Sequence, residues 1–346
     1  MSAEVTICEC FARDGLQHEP DFVATEVKRQ LIERFAALGF SRIEATSYSN
    51  PKVVPQFGDA SELLKSLPRK DGVFYKATCA NVRAVERAQA DADAGFGANE
   101  ISLLVSATEA HTQKNLKRTR EEQWANVAEM AAKASETAGR FRMIGTVSVA
   151  FGCPFEGRVD PAVVVADVAR FAALGVTHVA LGDTTGMATP HSVKAMFTRL
   201  QREVPQVTPV AHFHDTRGTG LANYVAAHDA GVRFFDSAFG GVGGHPAKVK
   251  YGGGHTGNVC TEDLVNLFET MGINTGIDLG GLLDTARYCE QVLGRELHGR
   301  VTRSGLNSFK RSSRAEDGAG LLNARGKSVA VEDMDAARLL RDEAGN

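Results

Sequence analysis

No run of the chain approaches the roughly 18 consecutive apolar residues that a membrane-spanning helix needs. The opening MSAEVTICECFARDG has no basic stretch followed by an apolar one, so no export signal is read there, and a cytoplasmic protein is expected. Charge of one sign is lacking too. The formal net charge is −3 and the lysines and arginines are scattered, which leaves a nucleic-acid surface or a basic membrane anchor without support and makes a small molecule the expected partner. Cysteine is sparse, six in 346 residues (Cys8, Cys10, Cys79, Cys153, Cys260 and Cys289), with no Cys-x-x-Cys pair. Reduced thiols are therefore expected, not a disulfide framework or a structural zinc site. Cys8 and Cys10 fall on one face of a strand and are read as packing. Internal repeats and low-complexity linkers are also absent.

What is present is alternation. Eight apolar, β-branched runs (EVTICECFA, SRIEATS, GVFYKATCA, EISLLVSA, FRMIGTVSVAFG, VTHVALGD, TPVAHFHD and VRFFDSAFG) are separated by stretches with apolar residues at three- and four-residue spacing, such as 24–39, 81–94, 118–138, 161–174, 190–203 and 218–230. Strands alternating with helices imply parallel pairing, and eight such units predict an α/β fold, a (β/α)8 TIM barrel. An open doubly wound sheet is the alternative, but no Gly-x-Gly-x-x-Gly turn follows the first strand. Additional C-terminal helices are expected. TEDLVNLFETMG, opening on a capping-type Thr-Glu-Asp, reads as the eighth helix and LGGLLDTARYCEQVLG as an added one. The catalytic barrel is placed at residues 1–300, followed by a polar tail, 301–346, with a short helix within 331–342.

Chemistry in such a barrel gathers at the C-terminal strand ends, and polar residues crowd there: Arg13, Asp14 and Gln17 after strand one, Glu44 in strand two, Asp183 after strand six, and His212, His214 and Asp215 in strand seven. Side chains at i and i+2 of a strand share a face, so His212 and His214 stand together. Strand eight alone separates strands one and seven in a closed barrel, about 10 Å between their traces, which lets Asp14 complete an Asp/His/His set, with Asn258 the best additional ligand from the loop after strand eight. Mixed imidazole, carboxylate and amide donors in an open site suit a divalent metal cation such as Mg2+ or Mn2+ better than closed tetrahedral zinc. The alternative is a pair of core histidines bonded to backbone.

FARDGLQHE (11–19), IEATSYSNPKVVPQ (43–56), GCPFEG (152–157), GDTTGMATP (182–190), HFHDTRGTGLAN (212–223) and TGN…TEDL (256–264) together resemble the 3-hydroxy-3-methylglutaryl-CoA lyase family, within a wider group of metal-dependent lyase and synthase barrels. The resemblance implies that Asp14, His212, His214 and Asn258 hold the cation, that Arg13 stabilises an enolate oxygen, that Gln17 helps fix it, and that Glu44 and Asp183 orient substrate or water. It also implies a homodimer. Each residue has a plainer reading: Arg13 paired with Asp14, Glu44 in an interior ion pair, Asp183 capping the turn that follows it.

The loop after strand eight departs from the family. Where the lyases carry a catalytic cysteine in Gly-Gly-Cys-Pro, this chain has GGHP, so His245 takes the cysteine's place. Imidazole can transfer protons near neutral pH, and His245 is assigned to proton transfer or substrate contact. Lys248 and Lys250, with Lys114 and Lys117, are candidates for the phosphates of a coenzyme A tail. The triple glycine 252–254 lies in no phosphate-loop pattern and is read as lid flexibility. The expected activity is cleavage of a 3-hydroxy-3-methylglutaryl-CoA-like tertiary 3-hydroxyacyl thioester. The alternatives are an aldolase or condensing enzyme acting on a 2-oxoacid, and a non-catalytic metal-containing barrel that binds a metabolite.

Overall fold

The computed structural model describes residues 3–136, 139–244 and 257–307. Eight strands, β1 (Thr6–Glu9), β2 (Arg42–Ser47), β3 (Phe74–Cys79), β4 (Glu100–Ser106), β5 (Arg142–Ser148), β6 (His178–Asp183), β7 (Thr208–Phe213) and β8 (Phe234–Ser237), pair in parallel and in chain order, and β8 closes on β1. The expected (β/α)8 barrel is what forms. Its helices are α1 (Thr25–Ala37), α2 (Ala60–Ser66), α3 (Val82–Asp93), α4 (Glu109–Leu116), α5 (Arg120–Ser135), α6 (Pro161–Ala173), α7 (Pro190–Glu203), α8 (Gly220–Asp229), α9 (Thr261–Thr270), α10 (Leu279–Leu293) and α11 (Val301–Ser304). Among the described residues no helix is long and apolar enough to cross a membrane.

Local chemistry explains most boundaries. Asn81 and Asp160 cap α3 and α6 through their side chains, and Thr119 with Glu122 forms a capping box on α5. Gly294 ends α10 in a left-handed conformation that glycine adopts without steric cost. The helices α2 and α4, with 7 and 8 residues, are too short for a helical period to register in sequence. Thr261 does not cap α9 as its Thr-Glu-Asp suggests. The cap position falls on Cys260, and the Thr261 hydroxyl donates instead to Glu9 Oε2 at 2.6 Å. The compact unit that contains the barrel runs to Asn307, and α11 is held within it: Asp263 accepts the backbone N–H groups of Arg300 and Val301. The tail beyond, with its expected helix, lies outside the described residues.

Barrels of this type are normally filled by branched apolar side chains. This interior carries charge. Arg42 on β2 reaches past β3 to Glu100 on β4 (Nη2–Oε1, 2.7 Å) and past β1 to Asp236 on β8 (Nη1–Oδ1, 3.4 Å); contacts that skip a strand run through the barrel's inside. Arg142 closes the lower end on Glu100. All six cysteines are buried free thiols, as expected of reduced cysteines. The Cys8 and Cys10 sulfurs lie 3.9 Å apart beside the Asp236 carboxylate.

Around this interior the helices pack closely. Gly145 on β5 faces the ring of Phe171 on α6, and a methyl group there would sit 2.7 Å from the ring. Gly145→Ala is therefore expected to lower stability by about 1–3 kcal/mol through overpacking, read as a lower urea midpoint at unchanged denaturant slope.

Candidate active site

The chain leaves β1 through a five-residue π-type turn, Phe11–Gly15, which aims Arg13 and Asp14 at the barrel mouth. Glu9 fixes this turn. Its Oε1 accepts the N–H of Phe11 (2.9 Å) and that of Phe239 (3.1 Å) on the segment leaving β8, while Oε2 takes the Thr261 hydroxyl. One buried carboxylate thus ties together the two loops that supply the mouth. The turn at Gly240, with φ at 64°, is held in the same way by Glu262, both of whose oxygens accept the Gly240 N–H.

Donor atoms of Asp14, His212 and His214 lie within 4.8 Å of one another, and the two histidine Nε2 atoms are 3.2 Å apart. The His212 ring is turned by Asp236, whose Oδ2 lies 3.5 Å from Nδ1; a carboxylate at one ring nitrogen fixes the tautomer and leaves the other for a ligand. Asn258 joins them across a β-bridge with His214. Its amide nitrogen donates to Asp14 Oδ2 (2.6 Å) and to the Val242 carbonyl (2.9 Å), and its Oδ1 is buried with no hydrogen-bond partner among the described residues. An orphaned amide oxygen beside a carboxylate and two imidazoles is the donor set a divalent cation completes. The backbone leaves that room deliberately: a Cβ on Gly243, where φ is 101°, would meet Asn258 Nδ2 at 2.6 Å.

Charges alternate around the donors. Arg13 lies 3.3 Å from Asp14 and 3.6 Å from Glu44; Lys76 lies 3.4 Å from Glu44 and 3.8 Å from Asp236. Burial alone would raise the Asp14 pKa, but Arg13, His212 and His214 hold it below the ordinary value. Burial likewise opposes charge on His212, and Asp236 and Asp14 outweigh it to leave the ring's pKa raised. Burial would also neutralise Lys76, which the carboxylates of Glu44 and Asp236 keep protonated. The mouth opens on a cavity of about 350 Å³ lined by these residues.

Comparison with known proteins shows the family. Residues 4–289 match the family model described as HMGL-like. The chain belongs to the HMGL-like family. Among its relatives are the mitochondrial hydroxymethylglutaryl-CoA lyase of Homo sapiens, 38% identical over 300 residues (87% of this chain, 89% of the relative), and hydroxymethylglutaryl-CoA lyase YngG of Bacillus subtilis, 37% identical over 312 residues (89% and 98%). A solved HMG-CoA lyase from Acinetobacter baumannii, in complex with coenzyme A and 3-methylmalate, superimposes with a TM-score of 0.81 at 36% identity, covering 91% of this chain and all of that one. The protein is thus an enzyme, a carbon–carbon lyase of the HMGL-like family.

Within this HMGL-like barrel, Arg13, Asp14, Gln17, Glu44, His212 and His214 all line the cavity, and Asn258 backs it. The plainer readings of Arg13 and Glu44 hold as well, since both sit in ion pairs. Asp183 is different. Its oxygens accept the N–H groups of Met187 (2.7 Å) and Ala188 (3.0 Å), so it shapes the turn after β6, and burial pushes its pKa up to about 6. Lys114 stacks on Phe155 at 3.9 Å, and Lys117 is bonded to the Lys114 carbonyl. His245, Lys248, Lys250 and the triple glycine lie outside the described residues. Lys76, Thr78, Ser102 and Asp236 went unrecognised in sequence. The signal available was their period-two placement, Lys76 with Thr78 in β3 and Glu100 with Ser102 in β4, on strands whose alternate positions are apolar.

Asp236→Asn should weaken divalent-ion binding by about 10- to 100-fold, measured by titration calorimetry; unchanged affinity would remove Asp236 from the ion's support. Stability should also depend on pH. Burial raises Glu9 to about 8 and Glu262 to about 7. The folded state thus binds protons that the unfolded chain releases near 4.5, so their contribution is full below that value and is lost as pH rises through 7 to 8. Between pH 6 and 9 the unfolding free energy is expected to fall by roughly 4 kcal/mol, and Glu262→Gln should flatten the slope in denaturant titrations.

Proposed function

We propose that the enzyme cleaves the C2–C3 bond of a 3-hydroxy-3-methylglutaryl-CoA-like tertiary 3-hydroxyacyl thioester, releasing an acetyl thioester and a 3-oxoacid, with Mg2+ or Mn2+ held by Asp14, His212, His214 and Asn258. The observation that carries this reading is the convergence of those donors with Arg13 and Glu44 on one cavity. The coenzyme A and 3-methylmalate bound by the Acinetobacter lyase support a thioester substrate with a branched hydroxyacid end.

When bound, the divalent cation supplies a Lewis acid for the substrate's oxygens and lowers the cost of removing the hydroxyl proton. The protein's own groups do the rest. As the C2–C3 bond breaks, its electron pair passes to C2 and the thioester oxygen, and the C3 hydroxyl becomes the ketone of the 3-oxoacid. Arg13 faces that developing enolate charge. Its Nε is buried without a hydrogen-bond partner among the described residues, which leaves a donor for the oxygen at the moment charge appears. Glu44, which accepts the Thr78 hydroxyl at 2.9 Å, holds Arg13 in place, and Gln17 flanks it. Asp183 acts by shaping the turn beside Gly182 and Thr184. His245 is assigned to proton transfer: its imidazole takes the C3 hydroxyl proton as the bond breaks, and the imidazolium returns that proton to C2, which finishes as an acetyl group, where the family uses a thiol. Lys248 and Lys250 are assigned to the coenzyme's phosphates.

Purified protein with Mg2+ or Mn2+ should convert 3-hydroxy-3-methylglutaryl-CoA to acetyl-CoA and acetoacetate, followed by mass spectrometry. Asp14→Ala and His212→Ala should abolish the reaction, and Arg13→Ala should lower kcat by about 10²- to 10³-fold. His245→Cys should change the rate or the acyl preference. Failure of the wild-type enzyme on a panel of tertiary 3-hydroxyacyl thioesters would overturn the assignment.

A further inference from the structure

The chemistry above leaves one wall of the cavity without a role. Along β3 to β6 it is formed by short side chains, many of them polar, including Thr78, Ser102, Thr146 and Ser148. Lys76 stands at its inner end, 4% exposed. Its ammonium lies 3.4 Å from Glu44 and 3.8 Å from Asp236, yet it makes no hydrogen bond to any described residue. An ammonium carries three N–H donors, and two carboxylates at ion-pair distance do not use all of them. Lining a cavity, they are available to whatever fills it.

The charge count points to the occupant. In the connected interior network Arg13, Arg42, Lys76 and Arg142 face Asp14, Glu44, Glu100 and Asp236, four cations against four carboxylates. With the His212 and His214 rings neutral, the protein's own charges therefore balance, and a divalent cation held at the mouth would leave a positive excess that an anionic ligand offsets. Ser102, whose hydroxyl lies 3.1 Å from that of Thr78, adds a rotatable donor on the same wall.

We propose that Lys76, with Ser102 beside it, forms the subsite for a carboxylate at the end of the acyl group remote from the thioester, and so sets a preference for acid-terminated substrates over their neutral counterparts. Lys76 is a specificity residue in this assignment. The reaction rests on the lyase reading; the anion subsite is separable from it.

The test compares 3-hydroxy-3-methylglutaryl-CoA with its terminal primary amide in wild type and in Lys76→Met. A charge-assisted hydrogen bond lost to the amide corresponds to about tenfold or more in kcat/KM. Wild type should prefer the acid by that margin, mainly through KM, and Lys76→Met should bring the ratio to within about threefold of unity. An unchanged ratio, with or without a fall in both rates, would make Lys76 only a brace between Glu44 and Asp236 and would overturn the proposal. Should Lys76→Met fail to fold, Lys76→Gln takes the same measurement. If wild type cleaves neither thioester, the lyase reading fails and the subsite is decided by calorimetry with free 3-hydroxy-3-methylglutarate and its monoamide in the presence of Mg2+. About tenfold weaker binding of the diacid to the variant, with the monoamide bound alike, supports the subsite, and equal affinity of both proteins for the diacid overturns it.

Discussion

The carboxylate of Asp236, sealed inside the barrel, is the group on which the rest of the site depends. Burying an isolated carboxylate costs several kcal/mol, and three partners from three other strands offset that cost: Arg42 from β2, Lys76 from β3 and His212 from β7. Together they hold its pKa well below the ordinary range against the effect of burial. Arg42 and Lys76 lie beyond β1, so their ion pairs form only when β8 closes on β1 in the observed register, with Cys8 opposite Asp236, whereas His212 faces Asp236 directly across the β7–β8 ladder. Pairing of β7 with β8 thus turns the His212 ring, and closure of the barrel stabilises the carboxylate that turns it.

A similar economy governs the loops. Glu9 accepts from both the turn after β1 and the segment after β8, so Asp14 and the approach to Asn258 move together. The glycines of that segment are needed where the backbone comes closest. Gly240 and Gly241 adopt positive φ, a Cβ on Gly240 would strike Leu297 at 2.4 Å, and one on Gly243 would strike Asn258. Across the mouth, Val149 takes φ of 53°, a conformation costly for a β-branched residue. Its N–H is fixed by the Thr184 hydroxyl at 3.0 Å, and it adjoins Ser148 on the cavity wall.

These features explain what could and could not be read from sequence. The eight strands were legible because each is a β-branched run between helical periods, and the Asp14–His212–His214 set because i, i+2 geometry and barrel closure suffice to bring it together. Lys76 and Asp236 were not, since each has ion-pair partners on strands distant in sequence; the period-two placement of Lys76 with Thr78 puts them on one face of β3 but does not say that this face is the inner one. At Asp183 two readings were open, orientation of substrate or water and capping of the turn that follows; its oxygens accept the amides of Met187 and Ala188, and strand-end position alone does not separate the two uses. The Thr261 hydroxyl was likewise drawn away from helix capping by Glu9, a partner 252 residues earlier.

The barrel divides its labour by side. β1, β2, β7 and β8, with the turns that follow them, carry Asp14, His212, His214, Arg13, Glu44 and Asp236, each tied to at least one other, so a change in any one disturbs the charge state of its neighbours. β4 to β6 present mainly small or hydroxylated side chains to the cavity, among them Ser102, Thr146, Ser148, Ala180 and Gly182, which are coupled to little else. Substitution on that wall alters volume and hydrogen bonding without breaking an ion pair. Lys76 on β3 stands at the seam: it belongs to the charge network through Glu44 and Asp236 and to the wall because it lines the cavity, so a change there touches both the interior charge and the cavity surface.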